Sequence, residues 1–251
     1  MKWISMLWAA AAVISGQAHA VVSLTGTRLV FDGRFHEASI EITNHDRTEA
    51  LVQAWLENPR AQEVGAGHLP FVVTPHLVQL PTQGRQMLRI LYEGIGVPSD
   101  RESLLHLYVL QVPRRSEARQ QLNIAVRQRI NVFYRPVGLA GDPADAAQGL
   151  VWQWSQSDRP SIDVRNPTPF HVSLHNVSIS GLALREDLMI GPFSQHRLPL
   201  PAGATAAPGP LNFTALTDYG GSRPFCADPE PDAPFNARPR TAGTPSSIGK
   251  C

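Results

Sequence analysis

Lysine is almost absent from this 251-residue sequence. Only Lys2 and Lys250 are lysines among its 22 basic residues, so arginine supplies the other 20. Twenty-one acidic residues balance them to a formal net charge of +1, which excludes the broad basic surface of a nucleic-acid-binding protein. Only two cysteines are present, which excludes a framework of several disulfides and a four-thiolate zinc site.

A hydrophobic run long enough to cross a bilayer, roughly 20 residues, is missing as well. The apolar stretch at residues 4–16 is shorter, and it lies between Lys2 and the small-residue sequence Ala18-His19-Ala20. This pattern is typical of a secretory signal peptide. We therefore predict a signal peptide over residues 1–20, cleavage after Ala20, export to an oxidising compartment and no membrane insertion.

Long amphipathic helix patterns are also lacking, and short alternating segments take their place. Ala38, Ile40 and Ile42 alternate with polar neighbours, which indicates a strand with one buried face. Further strands are predicted at residues 50–57, 69–74, 86–92, 104–112 and 121–134. About seven strands with no intervening helix predict an antiparallel sandwich of the immunoglobulin type over residues 21–140.

A second domain and a tail are predicted beyond a small, polar linker at residues 137–149. The second series of strands lies within a predicted β-sandwich domain over residues 141–226, at 150–154, 161–165, 170–179 and 195–200, and it ends near 213–225. Residues 227–251 are mostly Pro, Ala, Asp, Ser and Gly, which predicts a flexible tail. The chain is therefore predicted to be all-β, with two immunoglobulin-like sandwich domains, and any cationic site in them must consist of arginine.

Motifs that carry catalysis are absent: there is no G-x-S-x-G, no phosphate-binding Gly-rich loop and no H-E-x-x-H. His171 and His175 would share a strand face, but no further ligand lies at a suitable spacing, so we predict no metal site. Asp100 and Glu102 are close in sequence, yet Arg101 lies between them as a counter-charge, which favours a structural role. We predict neither an enzyme nor a cofactor.

The long strand at residues 121–134 has the clearest alternation in the sequence. Leu122, Ile124 and Val126 lie on one face, and polar or small side chains lie on the other. Two interpretations stay open on this pattern. The apolar face either packs into the core of its own sandwich, or belongs to an edge strand that accepts another chain, as unprotected edges do.

Five local sequences resemble one known family, the periplasmic pilus chaperones of the chaperone–usher pathway. They occur in the family's order at residues 21–32 (VVSLTGTRLVFD), 99–113 (SDRESLLHLYVLQVP), 122–136 (LNIAVRQRINVFYRP), 166–170 (NPTPF) and 217–221 (TDYGG). The short connection at 113–121 resembles the short-loop branch of that family.

The resemblance implies two domains set at an angle, with a client-binding cleft between them. It also implies donor-strand complementation, a form of β-strand addition, in which Leu122, Ile124 and Val126 fill the open groove of a pilus or fimbrial subunit. The implied partners are such subunits and an outer-membrane usher, with a self-capping homodimer as a further possibility and the periplasm as location. Two other classes stay open: a structural pilus subunit or adhesin, and a periplasmic immunoglobulin-like binding module.

The resemblance further implies a two-cation anchor for the C-terminal carboxylate of the subunit. Arg28 matches the first cation, and a guanidinium suits a carboxylate because it can donate two parallel hydrogen bonds. Asn131 occupies the position where the family usually has a lysine. Arg129, two residues earlier on the same strand face, either supplies the missing charge or faces solvent.

The resemblance also implies a structural trio and a disulfide. Glu102, Arg135 and Asp218 match positions that form a salt bridge between the two domains. Cys226 lies near a place where the family's second domain often has a disulfide, and Cys251 is its only candidate partner within the chain. Free or intermolecular thiols are the alternative.

Overall fold

The structure is a computed structural model that describes residues 22–59, 68–114, 124–155, 160–201, 209–229, 233–240 and 251. The predicted signal peptide and Leu122 lie outside these residues. Within them, no helix has the length and hydrophobicity that crossing a bilayer requires.

The described residues of the first domain form nine strands in two sheets. The strands are β1 (Val22–Leu24), β2 (Arg28–Asp32), β3 (Glu37–Asn44), β4 (Ala50–Glu57), β5 (Phe71–Thr74), β6 (Leu77–Leu80), β7 (Arg85–Tyr92), β8 (Ser103–Pro113) and β9 (Val126–Arg135). One sheet has the order β1-β3-β7-β5, and the other has the order β2-β9-β8-β4-β6.

Alternation of apolar side chains is what packs the two sheets face to face. On β3, Ile40 and Ile42 point inward, and on β8 Leu105, Leu107 and Val109 do the same. All five side chains belong to one buried cluster that fills the space between the sheets. The predicted sandwich is thus confirmed, although the short strand β6 was not predicted.

Strand β9 is paired on both sides along only half of its length. It runs antiparallel to β8 over residues 126–134, and parallel to β2 over residues 131–135. Because β2 begins at Arg28, opposite Asn131, the described residues leave 126–130 with one free edge. The backbone N–H and C=O groups on that edge can pair with another strand.

The described residues of the second domain form nine further strands. These are β10 (Val151–Ser155), β11 (Ser161–Arg165), β12 (Val172–Ile179), β13 (Leu182–Ile190), β14 (Gln195–Pro199), β15 (Leu211–Leu216), β16 (Ser222–Ala227), β17 (Phe235–Asn236) and β18 (Arg238–Pro239). The sheets have the orders β14-β11-β10-β17 and β13-β12-β15-β16-β18. A second buried cluster, with Trp152 at its centre, lies between them. The prediction missed β13, whose side chains are mostly exposed.

The structure differs from the predicted flexible tail at residues 233–240. Strand β17 pairs with β10, and β18 pairs with β16, so this segment adds an edge to each sheet of the second domain. Phe235 and Ala237 are buried in the second core, which supplies the apolar contact that the composition did not suggest. A disulfide joins Cys226 to Cys251, with the two Cα atoms 5.7 Å apart, as the intrachain alternative predicted.

Candidate functional site

A cavity of about 460 Å³ lies between the two domains. The first domain contributes Arg28 and Phe133 to its lining, from the neighbouring strands β2 and β9. The second domain contributes apolar side chains such as Val172 and Ala215, together with Arg223. The cavity is therefore a cleft with both apolar and charged side chains, which neither domain forms alone.

Arg28 is the first residue of β2, which places its side chain at the mouth of the cleft beside the free edge of β9. Its Cζ atom lies 5.8 Å from the centroid of the Phe133 ring. Its Nε atom is buried and has no hydrogen-bond partner among the described residues. An unpartnered guanidinium donor is costly to bury, so it points to an anionic or carbonyl ligand that the free protein lacks.

Electrostatics at Arg28 support the same conclusion. Burial lowers the pKa of Arg28, and the negative charge of Asp218 opposes that shift without cancelling it. The folded protein thus holds a positive charge in a place where solvation is incomplete. A carboxylate bound to Arg28 would replace the stabilisation of its charge that water provides at an exposed site.

Asn131 and Arg129 lie outside the lining of the cavity among the described residues. Asn131 is directly opposite Arg28 on one side and opposite His106 of β8 on the other. Arg129 is exposed and lies opposite Tyr108. Burial lowers the pKa of His106, and the positive charge of Arg129 lowers it further, against an opposing effect of Glu57. The structure therefore places Arg129 beside His106 on the outer face of the sheet.

Two of the predicted donor-strand side chains are described, and both are exposed. Ile124 is 61% exposed and Val126 is 39% exposed, although both are large and apolar. Val126 begins β9 and lies opposite Gln111 of β8, on the half of β9 whose other edge is free. Of the two interpretations of this strand, the structure therefore favours the exposed edge for Ile124 and Val126.

Glu102, Arg135 and Asp218 are brought together across the domain boundary. Arg135 donates from Nε to Glu102 Oε1 at 2.7 Å, and from Nη1 and Nη2 to the two Asp218 oxygens at 2.8 and 3.1 Å. Burial alone would lower the pKa of Arg135, but hydrogen bonds and charges from Asp218 and Glu102 outweigh it and raise this pKa. The other Glu102 oxygen accepts the backbone N–H of His171 at 2.7 Å.

The remaining polar candidates have structural partners. The ring of His171 is buried, with Nδ1 3.2 Å from Glu102 Oε2, whereas His175 pairs with Asp187. Asp100 accepts from the adjacent Arg101, whose hydrogen bond lowers its pKa. In the described part of the chain, no group of three or more His, Cys, Asp or Glu residues is arranged to hold a metal ion.

Several residues of the site were missed by sequence reasoning. Trp55 and Tyr108 stack at 5.2 Å on the outer face of the sheet, and Arg127 lies over the Tyr108 ring at 5.4 Å. Arg223 and the fully exposed Tyr219 line the interdomain cavity. Tyr108, Arg127 and Tyr219 lie in family-like segments, whereas Trp55 and Arg223 lie outside all five and reach their places only through strand register and domain packing.

Two immunoglobulin-like domains around a cleft, with one half-open edge strand, define a class of binding protein rather than of catalyst. Comparison with known families identifies which class of binding protein this is. Residues 21–140 match the family described as "Pili and flagellar-assembly chaperone, PapD N-terminal domain", and residues 145–227 match "Pili assembly chaperone PapD, C-terminal domain". The chain belongs to this family of pilus-assembly chaperones and is not an enzyme.

Individual relatives agree in sequence and structure. The chain is 30% identical over 227 residues to the chaperone protein FimB/FhaD of Bordetella pertussis, covering 86% of this chain and 91% of that protein. The crystal structure of the E. coli chaperone DraB superposes with a TM-score of 0.68 at 30% identity, covering 83% of this chain and 96% of that one. A structure of Salmonella enterica SafA pilin in complex with the SafB chaperone gives 0.70 at 26% identity, covering 85% and 98%.

Proposed function

We propose that this chaperone works in the periplasm, binds pilus or fimbrial subunits by donor-strand complementation, and delivers them to an outer-membrane usher. The observation that carries the proposal is the free edge of β9 at residues 126–130, which leads directly to the half-buried Arg28. A strand of the subunit would pair with this edge, and its C-terminal carboxylate would reach the guanidinium. A relative described in complex with a pilin, SafB, supports this kind of client.

The apolar side chains ahead of β9 would supply the burial energy. Leu122, Ile124 and Val126 alternate, so every second side chain would enter the open groove of the subunit. Each side chain that passes from water into such a groove contributes about 1.5–3 kcal/mol. Three such side chains stabilise the complex substantially, yet they leave it weak enough for a neighbouring subunit to displace the chaperone during assembly.

The same edge also suggests a resting state. With Ile124 and Val126 exposed, the free protein presents apolar surface beside unpaired backbone groups. A second copy of the chain could cover both, so the self-capping homodimer stays part of the proposal. Sedimentation over a range of concentrations, with and without a bound subunit, would measure it.

Replacing Ile124 with aspartate is expected to weaken capture of a co-expressed pilus subunit by at least about tenfold, because one buried side chain is lost and a charge enters an apolar groove. Since Ile124 is exposed in the free protein, the free energy of unfolding should barely change. Co-purification from periplasm and urea unfolding measure the two effects. The matched control is Ile95→Asp, an isoleucine that is 73% exposed and lies outside β9. Equal capture by the Ile124 and Ile95 variants would refute the role of this strand in client binding.

Replacing Asn131 with lysine is expected to tighten subunit binding by roughly fivefold to tenfold, because it adds a positive charge directly opposite Arg28. The gain should be largest at low ionic strength, since it is electrostatic. Titration of subunit-derived peptide at two salt concentrations measures it. The neutral change Asn131→Gln is the control, and equal gains in both variants would contradict an effect of charge.

A further inference from the structure

The charged side chains that line the interdomain cavity are balanced in number. Three arginines and three carboxylates are among its lining residues, namely Arg28, Arg135, Arg223, Glu102, Asp142 and Asp218. Arg135 is committed to Glu102 and Asp218 by three hydrogen bonds, so its charge is already neutralised within the protein. The cations left to attract a ligand are Arg28 and Arg223.

Arg223 lies on the wall that the second domain contributes. It belongs to β16, opposite Ala215 of β15, and its Nη1 donates to the carbonyl oxygen of Ala144 at 3.2 Å. Its Cζ lies 5.9 Å from the centroid of the Phe225 ring. Ala144, Ala215 and Phe225 all line the cavity, so the guanidinium is held against its wall.

Within the part of the chain that the structure describes, Arg223 makes one hydrogen bond, and its other donors face solvent. A guanidinium has five N–H donors, and one of them accounts for the bond to Ala144. No carboxylate lies within salt-bridge distance of Arg223 among the described residues. Arg28 is in the same condition, with an unpartnered Nε atom. Two unpaired guanidiniums from different domains therefore line one cleft.

We propose that Arg223 is the second cation of the carboxylate site, so that the C-terminal carboxylate of an extended peptide is attracted by Arg28 from the first domain and Arg223 from the second. The proposal rests on the proposed function, because it takes the client's carboxylate as the ligand. Without Arg223 the carboxylates lining the cavity would outnumber the arginines, and the local field would oppose an anionic ligand.

Arg223 explains how the chain manages without a cation at position 131. Asn131 adds no charge, and Arg129 faces the outer surface beside Tyr108 and His106, outside the cavity lining. Arg223 is exposed, but it lines the same cavity as Arg28 and can therefore add its charge to the same site. A clamp built from both domains would also couple carboxylate binding to the relative position of the two domains, which Arg135 bridges through Glu102 and Asp218.

The test uses a nine-residue peptide of alternating valine and threonine with an N-terminal fluorophore, as the free acid and as the C-terminal amide. Fluorescence anisotropy gives the dissociation constant of each form for the full mature chain. The wild type should prefer the acid, and Arg223→Gln should reduce the acid-over-amide preference by about threefold to tenfold while leaving amide binding unchanged. Arg223→Lys should keep most of the preference, which separates loss of charge from loss of fold.

Two further variants make the assignment selective. Arg197→Gln removes a guanidinium of the same domain that pairs with Asp163 outside the cavity, and it should leave the preference intact. If the acid-over-amide preference survives Arg223→Gln, or falls in Arg129→Gln instead, Arg223 is not the second cation. The proposal of a carboxylate site at Arg28 is unaffected by that result. A wild type that binds both peptide forms equally, or neither, refutes the proposed function and this inference with it.

Discussion

Arg28→Ala is expected to abolish recovery of pilus subunits from the periplasm while the chaperone itself accumulates normally. Removing one partner of a desolvated charge pair costs about 2–5 kcal/mol of binding free energy, which weakens the complex by at least about thirtyfold. Arg28 is placed for such a pair, since it lines the interdomain cavity and its Nε atom has no partner among the described residues. Co-expression with a subunit, followed by co-purification and densitometry, measures the effect.

The free energy of unfolding should not fall along with binding in Arg28→Ala. Because burial lowers the pKa of Arg28, the folded free chaperone bears a cost for holding this charge. Alanine removes that cost together with a cation–π contact to Phe133 and an attraction to Asp218. The free energy of unfolding in urea should therefore stay the same or rise slightly.

Arg34→Ala is the matched control for Arg28→Ala. Arg34 lies two residues beyond β2, its side chain is 70% exposed, and it bonds to Asp32 and does not line the 460 Å³ cavity. Its removal should leave both subunit recovery and unfolding unchanged. Normal recovery with Arg28→Ala would remove Arg28 from the anchor, and equal losses in both variants would point to a general effect of charge.

Most strands of the fold could be predicted from local patterns in the sequence. The alternation in β3, β4 and β8 appears at nearly the predicted residues because each of these strands has one buried and one exposed face. β13 was missed because neither of its faces is well buried, so its sequence lacks the alternation that marks a strand. Residues 233–240 were predicted to be flexible because they contain few apolar side chains, yet Phe235 and Ala237 are buried in the second core and β17 and β18 pair with β10 and β16.

The candidate site was less accessible to sequence reasoning because it depends on pairing between distant segments. Arg28 and Asn131 are neighbours only through the parallel register of β2 and β9, and Arg223 joins Arg28 only through the packing of the two domains. Alternation around Ile124 was visible in the sequence, but which edge of β9 is free follows from where β2 begins. Arg28 was predicted from the resemblance to a family, whereas Arg223 lies outside the family-like segments and could not be predicted in that way.

Arg135→Ala is expected to lower the free energy of unfolding by about 3 kcal/mol, because it leaves the buried Glu102 carboxylate without its guanidinium partner. The Glu102 side chain is only 2% exposed, whereas Arg135 is 21% exposed, which places the effect at the lower end of the range for buried pairs. The backbone N–H of His171 still donates to Glu102, but this hydrogen bond brings no compensating positive charge. Urea unfolding near neutral pH measures the loss.

Arg197→Ala tests whether burial, rather than hydrogen-bond number, sets the size of this effect. Arg197 donates two hydrogen bonds to Asp163 between β14 and β11, at 2.8 and 2.9 Å, yet its side chain is 70% exposed. Its removal should change stability little, since exposed pairs contribute little. The double variant Glu102→Gln/Arg135→Ala should recover part of the loss, because no buried charge is left at position 102. If Arg135→Ala lowered the free energy of unfolding as little as Arg197→Ala, the trio would orient the domains without stabilising them. The only effect of Arg135→Ala would then be a change in the interdomain angle, which small-angle scattering measures.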